Sequence, residues 1–121
     1  MDEDAFHRLV VETLDSLPAE VQRQLDLVAV QIAHKPSRAQ RAGLRMRPWE
    51  QLYGLYEGVP LPERGGDAPL LPDSITIFRL PLTRDFRAPD ELRMQIRRTV
   101  LHELAHFFGI DDDRLRVIDA Y

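Results

Sequence analysis

Cysteine is absent from the 121-residue sequence, so disulfides are excluded and any metal site must be built from histidine and carboxylate alone. Long apolar runs are absent as well: no stretch approaches the roughly 18 apolar residues that a membrane span requires. Basic residues are outnumbered, 16 Lys and Arg against 20 Asp and Glu, which gives a formal net charge of −4. A generic nucleic-acid binder needs a cationic surplus for its phosphate contacts, and this balance argues against one. The start, Met1-Asp2-Glu3-Asp4, is acidic where a signal peptide is basic, and the chain reads as cytoplasmic. Internal repeats and low-complexity tracts are missing too.

What is present fits one compact domain, 1–121, since apolar residues make up 44% of the chain and can fill a modest core. Phe6, Leu9, Val10, Thr13, Leu14 and Leu17 recur at helical spacing, and Pro18 ends that helix or starts another turn, with a short polar helix expected over 19–24. Leu25 to Ala33 reads as a strand, with Val28, Val30 and Ile32 on one face. From His34 to Pro48 five cations and no acid suggest a mobile loop or a frayed helix. Its arginines are read mainly as solvated, with an acidic partner or a substrate carboxylate as the alternative. Leu52–Glu57 is a second strand, Gly58 to Pro72 a long connection, and Ser74–Leu80 a third strand closed by Pro81. A long helix is expected over 90–108, with Pro89, Asp90 and Glu91 suiting its start and Gly109 its stop. A short helix over 113–121 would close the chain. Helices and strands mix without regular alternation, which indicates an α+β domain with a small sheet backed by helices.

The chemistry lies in His102-Glu103-Leu104-Ala105-His106-Phe107-Phe108-Gly109-Ile110-Asp111-Asp112. Helical positions i and i+4 stack, so both imidazoles can reach one divalent ion at about 2.0–2.1 Å. Glu103 is rotated by about 100° from His102 and can reach the ion's water without ligating the ion. Gly109 permits a turn that brings Asp112 back as a third ligand. A chance His-Glu-x-x-His is on the order of 1 in 100 for such a chain, and the later Gly and Asp lower this to the order of 1 in 10,000. Leu92, Ile96, Val100, Leu104 and Phe108 form the helix's core stripe, and Gln95, Thr99, His102 and His106 an adjacent stripe open to a cleft. Arg93, Arg97 and Arg98 are expected to face solvent. His7 and His34 lie apart from the motif.

This motif resembles that of zincin metallopeptidases with an aspartate third ligand. Leu55-Tyr56-Glu57-Gly58-Val59-Pro60-Leu61 and Leu71-Pro72-Asp73-Ser74-Ile75-Thr76-Ile77-Phe78 resemble the bacterial zincin-like family of very short metallopeptidases, and the likeness runs from about Leu25 to the end. It implies a small mixed sheet over the active-site helix, one Zn2+ per chain held by His102, His106 and Asp112, and Glu103 as catalytic base. Neither the Met-turn of larger metzincins nor the lower half of a typical protease cleft is expected here.

Three functions are weighed. The leading one is a zinc peptidase acting on peptides or unfolded protein segments, as a monomer or homodimer. A metal-stabilised binding module without turnover is the second. A metal-dependent ribonuclease like the small ribosomal-RNA maturation proteins is the third, opposed by the acidic balance and by Glu103, which their metal helix lacks. The strand over 75–80 forms either the rim of the cleft, where a peptide could pair with its free edge, or an ordinary interior strand. Tyr53, Tyr56 and Tyr121 are oxyanion-stabilising candidates by residue type, each set against a packing role, and Asp111 or Asp113 could cap the last helix.

Overall fold

Asp2 opens the first helix, its carboxylate accepting from the Ala5 N–H at 2.7 Å. Helix α1 (Glu3–Asp15) then buries Phe6, Leu9, Val10 and Thr13 along one face. The computed structural model describes residues 1–47, 50–58 and 73–108. The closing helix expected over 113–121, its Gly109 boundary and most of the connection from Gly58 to Pro72 lie outside the described residues.

Pro18 is the N-cap of α2 (Ala19–Leu25). The strand expected from Leu25 starts later, because Leu25 still belongs to α2 and the chain turns before β1 (Ala29–Ala33). The arginine-rich stretch contains α3 (Arg38–Gly43), a helix closed at both ends. Ser37 Oγ accepts from the Gln40 N–H (3.0 Å) while Gln40 Oε1 accepts from the Ser37 N–H (2.8 Å), a reciprocal capping box. At the other end Arg45 takes a left-handed φ of 53°. The Arg45 and Met46 N–H groups donate to the Ala42 and Arg41 carbonyls, each at 3.0 Å.

Strands β2 (Gly54–Glu57) and β3 (Ser74–Phe78) complete a sheet of order β1-β3-β2. β1 pairs with β3 in parallel, Val30 beside Ile75 and Ile32 beside Ile77, and β2 pairs antiparallel, Gly54 beside Ile77 and Tyr56 beside Ile75. The rim reading of β3 is therefore corrected: it is the central strand, with a partner on each side. Ile75, Ile77 and Phe78 are fully buried and Thr76 nearly so, the near-continuous burial of an interior strand. β3 also stops at Phe78 rather than Leu80 and passes directly into α4 (Arg79–Asp85). Pro81, which reads as a strand terminator, sits in the first turn of that helix, where its missing N–H forgoes no helical bond.

The last described element is α5 (Pro89–Phe107), with proline at its first turn followed by Asp90 and Glu91. One core joins α1 to α5 and the sheet through Phe6, Leu9, Val10, Leu17, Ile77, Leu82, Leu92, Ile96 and Val100. A second core, near the motif, joins Val28, Ile75, Leu104 and Phe107. Phe107 rather than Phe108 is the fully buried phenylalanine, because α5 turns its side at 99, 103 and 107 towards the sheet as well as its expected stripe. Among the described residues no helix is long and apolar enough to cross a membrane.

Close approach of α5 to β2 depends on Gly54. A Cβ there would lie 2.4 Å from Thr99 Cγ2 and 3.3 Å from the Thr76 carbonyl oxygen. Gly54→Ala is expected to lower stability by about 1–3 kcal/mol, seen as a lower denaturant midpoint at unchanged slope. A midpoint equal to that of the parent would mean that helix and strand part without cost.

Candidate metal centre

Three residues of the motif converge at the carboxyl-terminal end of α5. His102 and His106 stand one helical turn apart, with ring centroids separated by 4.6 Å and planes inclined by 70°. Between them lies the Glu103 carboxylate, its Oε2 3.7 Å from His102 Nε2 and its Oε1 3.5 Å from His106 Nδ1. One donor atom from each residue falls within 4.8 Å of the others. Ligand atoms around a tetrahedral zinc are roughly 3.3 Å apart, given bonds of about 2.0–2.1 Å, so modest side-chain rotation would close the pair on an ion. Imidazole and carboxylate donors without thiolate suit a borderline divalent cation such as zinc. The histidines are half-buried, whereas Glu103 is 6% exposed. Asp112, the expected third ligand, and the flanking Asp111 and Asp113 lie outside the described residues.

A buried carboxylate needs a donor, and the sheet provides one. The Tyr56 N–H donates to Glu103 Oε1 at 3.0 Å. The geometry follows from strand pairing. The Tyr53 carbonyl accepts from the Phe78 N–H (2.9 Å), so alternate residues of β2 turn their backbone groups to β3, and Gly54 and Tyr56 turn theirs outward. Tyr56 itself is fixed at further points. Its hydroxyl donates to Asp73 Oδ2 at 2.5 Å, and its ring meets Phe107 edge-on with centroids 5.9 Å apart. Asp73 is 3% exposed and abuts Gly58, whose φ of 151° and crowded position against that carboxyl group leave no space for a Cβ. These contacts are missed by sequence reasoning, which has no local signal for a bond between residues 47 positions apart.

The centre opens into a cavity of about 490 Å³ lined by residues 51–54 of the chain entering β2 and by Gln95, Arg98, Thr99, His102 and Glu103 of α5. Gln95, Thr99 and His102 of the expected cleft stripe do line it, while His106 does not and Glu103 does. Arg98 is solvent-exposed as expected, yet stands on the cavity wall one turn before His102, a placement that the i+4 spacing could have flagged. His7 and His34 are exposed and lie on another surface, where His34 Nδ1 is 2.7 Å from Arg79 Nη2.

Of the oxyanion candidates, Tyr53 and Tyr56 both commit their hydroxyls to carboxylates, and Tyr121 lies outside the described residues. Tyr53 Oη donates to Asp85 Oδ2 at 2.6 Å, and its ring packs edge-on against Phe86. Burial, the hydrogen bond to Asp85 and the charge of Asp85 push its pKa up to about 12.

With the geometry in place, comparison with known proteins defines the class. The model of the zincin-like metallopeptidase family matches residues 25–121, and the chain belongs to that family. No curated protein matches the chain. The match includes the sheet, α5 and the whole motif; α1 and nearly all of α2 precede it.

Tyr53 supplies a test of this wall in solution. A phenol whose folded pKa is raised stabilises the fold fully below its unfolded value and ceases to do so as pH rises through the folded one. Stability is therefore expected to fall between pH 10.0 and about pH 12 through this group. Tyr53→Phe should remove both that component and the late phenolate step in an ultraviolet titration. A parent protein with no phenol titrating later than the usual range would show that the bond to Asp85 does not persist.

Proposed function

We propose that the chain is a zinc-dependent metallopeptidase that holds one Zn2+ between His102, His106 and Asp112 and uses Glu103 as general base. The observation that carries this reading is the convergence of the two histidines and Glu103 on one end of α5, in a member of the zincin-like metallopeptidase family. When bound, the ion supplies Lewis acidity, polarising a scissile carbonyl and making nearby water more acidic. The chain's own residues do the rest. Glu103, anchored at Oε1 by the Tyr56 N–H, takes a proton from the attacking water and passes it to the leaving amine. His102 and His106, one turn apart on a rigid helix, keep the ion beside that carboxylate. The substrate is an extended peptide or unfolded segment. The outward backbone of Gly54, on β2, which is an antiparallel edge strand among the described residues, replaces β3 as the strand against which it can align.

One observation favours a second reading, a binding module that keeps the metal without turnover: the burial of Glu103 at 6% exposure. The two separate under Glu103→Gln. Elemental analysis of the purified parent should give about one zinc per chain, as four-coordinate single-ion sites do. His106→Ala and Asp112→Ala should each lose most of it. Glu103→Gln should retain zinc while peptide hydrolysis falls by about 10²–10⁴-fold. Zinc lost with Glu103→Gln but kept with Asp112→Ala would make Glu103 a ligand and end the assignment of it as base. A zinc-loaded parent that cleaves no unfolded protein would leave the binding reading.

A further inference from the structure

Gln51 lines two neighbouring cavities. One is the cavity of the candidate centre, with Arg98 on its wall. The other, of about 440 Å³, is walled by α3, α4 and the chain leading into β2, and its described lining residues set Lys35, Arg38, Arg41 and Arg84 against a single carboxylate, Glu50. The whole chain has more acids than bases, 20 against 16, so this surplus reverses the bulk composition locally.

Internal pairing does not consume the surplus. Arg41 serves the main chain, its Nη2 donating to the Arg47 and Glu50 carbonyls at 2.9 and 3.1 Å. Glu50 Oε1 accepts from the Arg47 N–H at 3.3 Å. The side chains of Lys35, Arg38, Arg84 and Arg98 make no ion pair or hydrogen bond among the described residues. The groove is also a built feature, since Gln40 Nε2 donates to Glu57 Oε1 at 3.0 Å and ties α3 to the end of β2. Its described lining residues include no aromatic ring on which a base could stack.

Resting on the peptidase reading above, we infer that the substrate is a peptide bearing carboxylates, held by Arg98 beside the centre and by Lys35, Arg38 and Arg84 in the adjoining groove. The carboxylates come from Asp and Glu side chains or from the chain terminus, and the two sources are separable. Exposed cation–carboxylate pairs contribute about two- to fivefold each in binding and weaken with salt.

The test uses the zinc-loaded, full-length Glu103→Gln protein and fluorescence anisotropy with labelled peptides of one length and one uncharged centre, flanked by acidic, neutral or basic residues. The acidic peptide is expected to bind on the order of tenfold more tightly than the neutral one, with the advantage shrinking as ionic strength rises. Adding Arg98→Gln, or Arg38→Gln with Arg84→Gln, should each cut that advantage at least about twofold. Unfolding midpoints equal to that of the starting protein would keep these effects in binding. Amidating the carboxyl terminus separates the sources: affinity lost by acidic and neutral peptides alike belongs to the terminus, whereas the acidic peptide's advantage belongs to side chains. Equal binding of acidic and neutral peptides that amidation leaves unchanged overturns the inference, as does tighter binding of a single-stranded oligonucleotide of matched charge. Acid preference in a protein whose parent cleaves nothing would support this inference while sinking the peptidase reading. A parent that cleaves neutral peptides as fast as acidic ones would do the reverse.

Discussion

Removing a carboxylate from water is tolerated when fixed donors replace the solvent, and at Glu103 that replacement comes from the backbone of β2. The bond from the Tyr56 N–H exists because α5 lies close enough to the sheet, and it lies that close because residue 54 has no side chain. Tyr56 in turn is immobilised by Asp73 and Phe107. A strand, a helix and a buried aspartate thus combine to set the position of one acid beside two imidazoles. Reactive groups held on regular elements keep their geometry better than groups held on loops.

Legibility in the sequence followed the range of the interaction. The placement of His102 and His106 one turn apart is a property of one helix, so spacing alone revealed it, as it did the start of α5 near Pro89. The α+β class was legible because apolar patterning reflects burial. Strand order was not. Nothing local distinguishes an edge from a centre in Ser74–Phe78, although its run of apolar residues matched the interior alternative. Pro81 misled because proline ends a strand and begins a helix with equal ease, and the structure uses it for the second. In α3 the charge of the segment drew attention away from Ser37 and Gln40, whose spacing is itself a helix-start signature. Residues linked to Glu103 across 47 positions could not be read from spacing at all.

Charge also behaves differently at the two scales. Net charge describes the far field, whereas the groove beside Gln51 is governed by side chains a few ångströms away, where screening by salt is incomplete. An acidic chain can therefore present a basic channel, and composition speaks only to its average surface.

The family match begins at residue 25, while α1 ends at Asp15. Phe6, Leu9 and Val10 nevertheless share a core with Ile96 and Val100, on the helix that carries the motif. Each such buried side chain contributes about 1.5–3 kcal/mol. A fragment trimmed to the region of likeness would keep every motif residue yet bare an oily flank on its central helix, inviting self-association. Boundaries drawn by resemblance and boundaries drawn by packing are different objects in this molecule, and the second is the one the centre rests on.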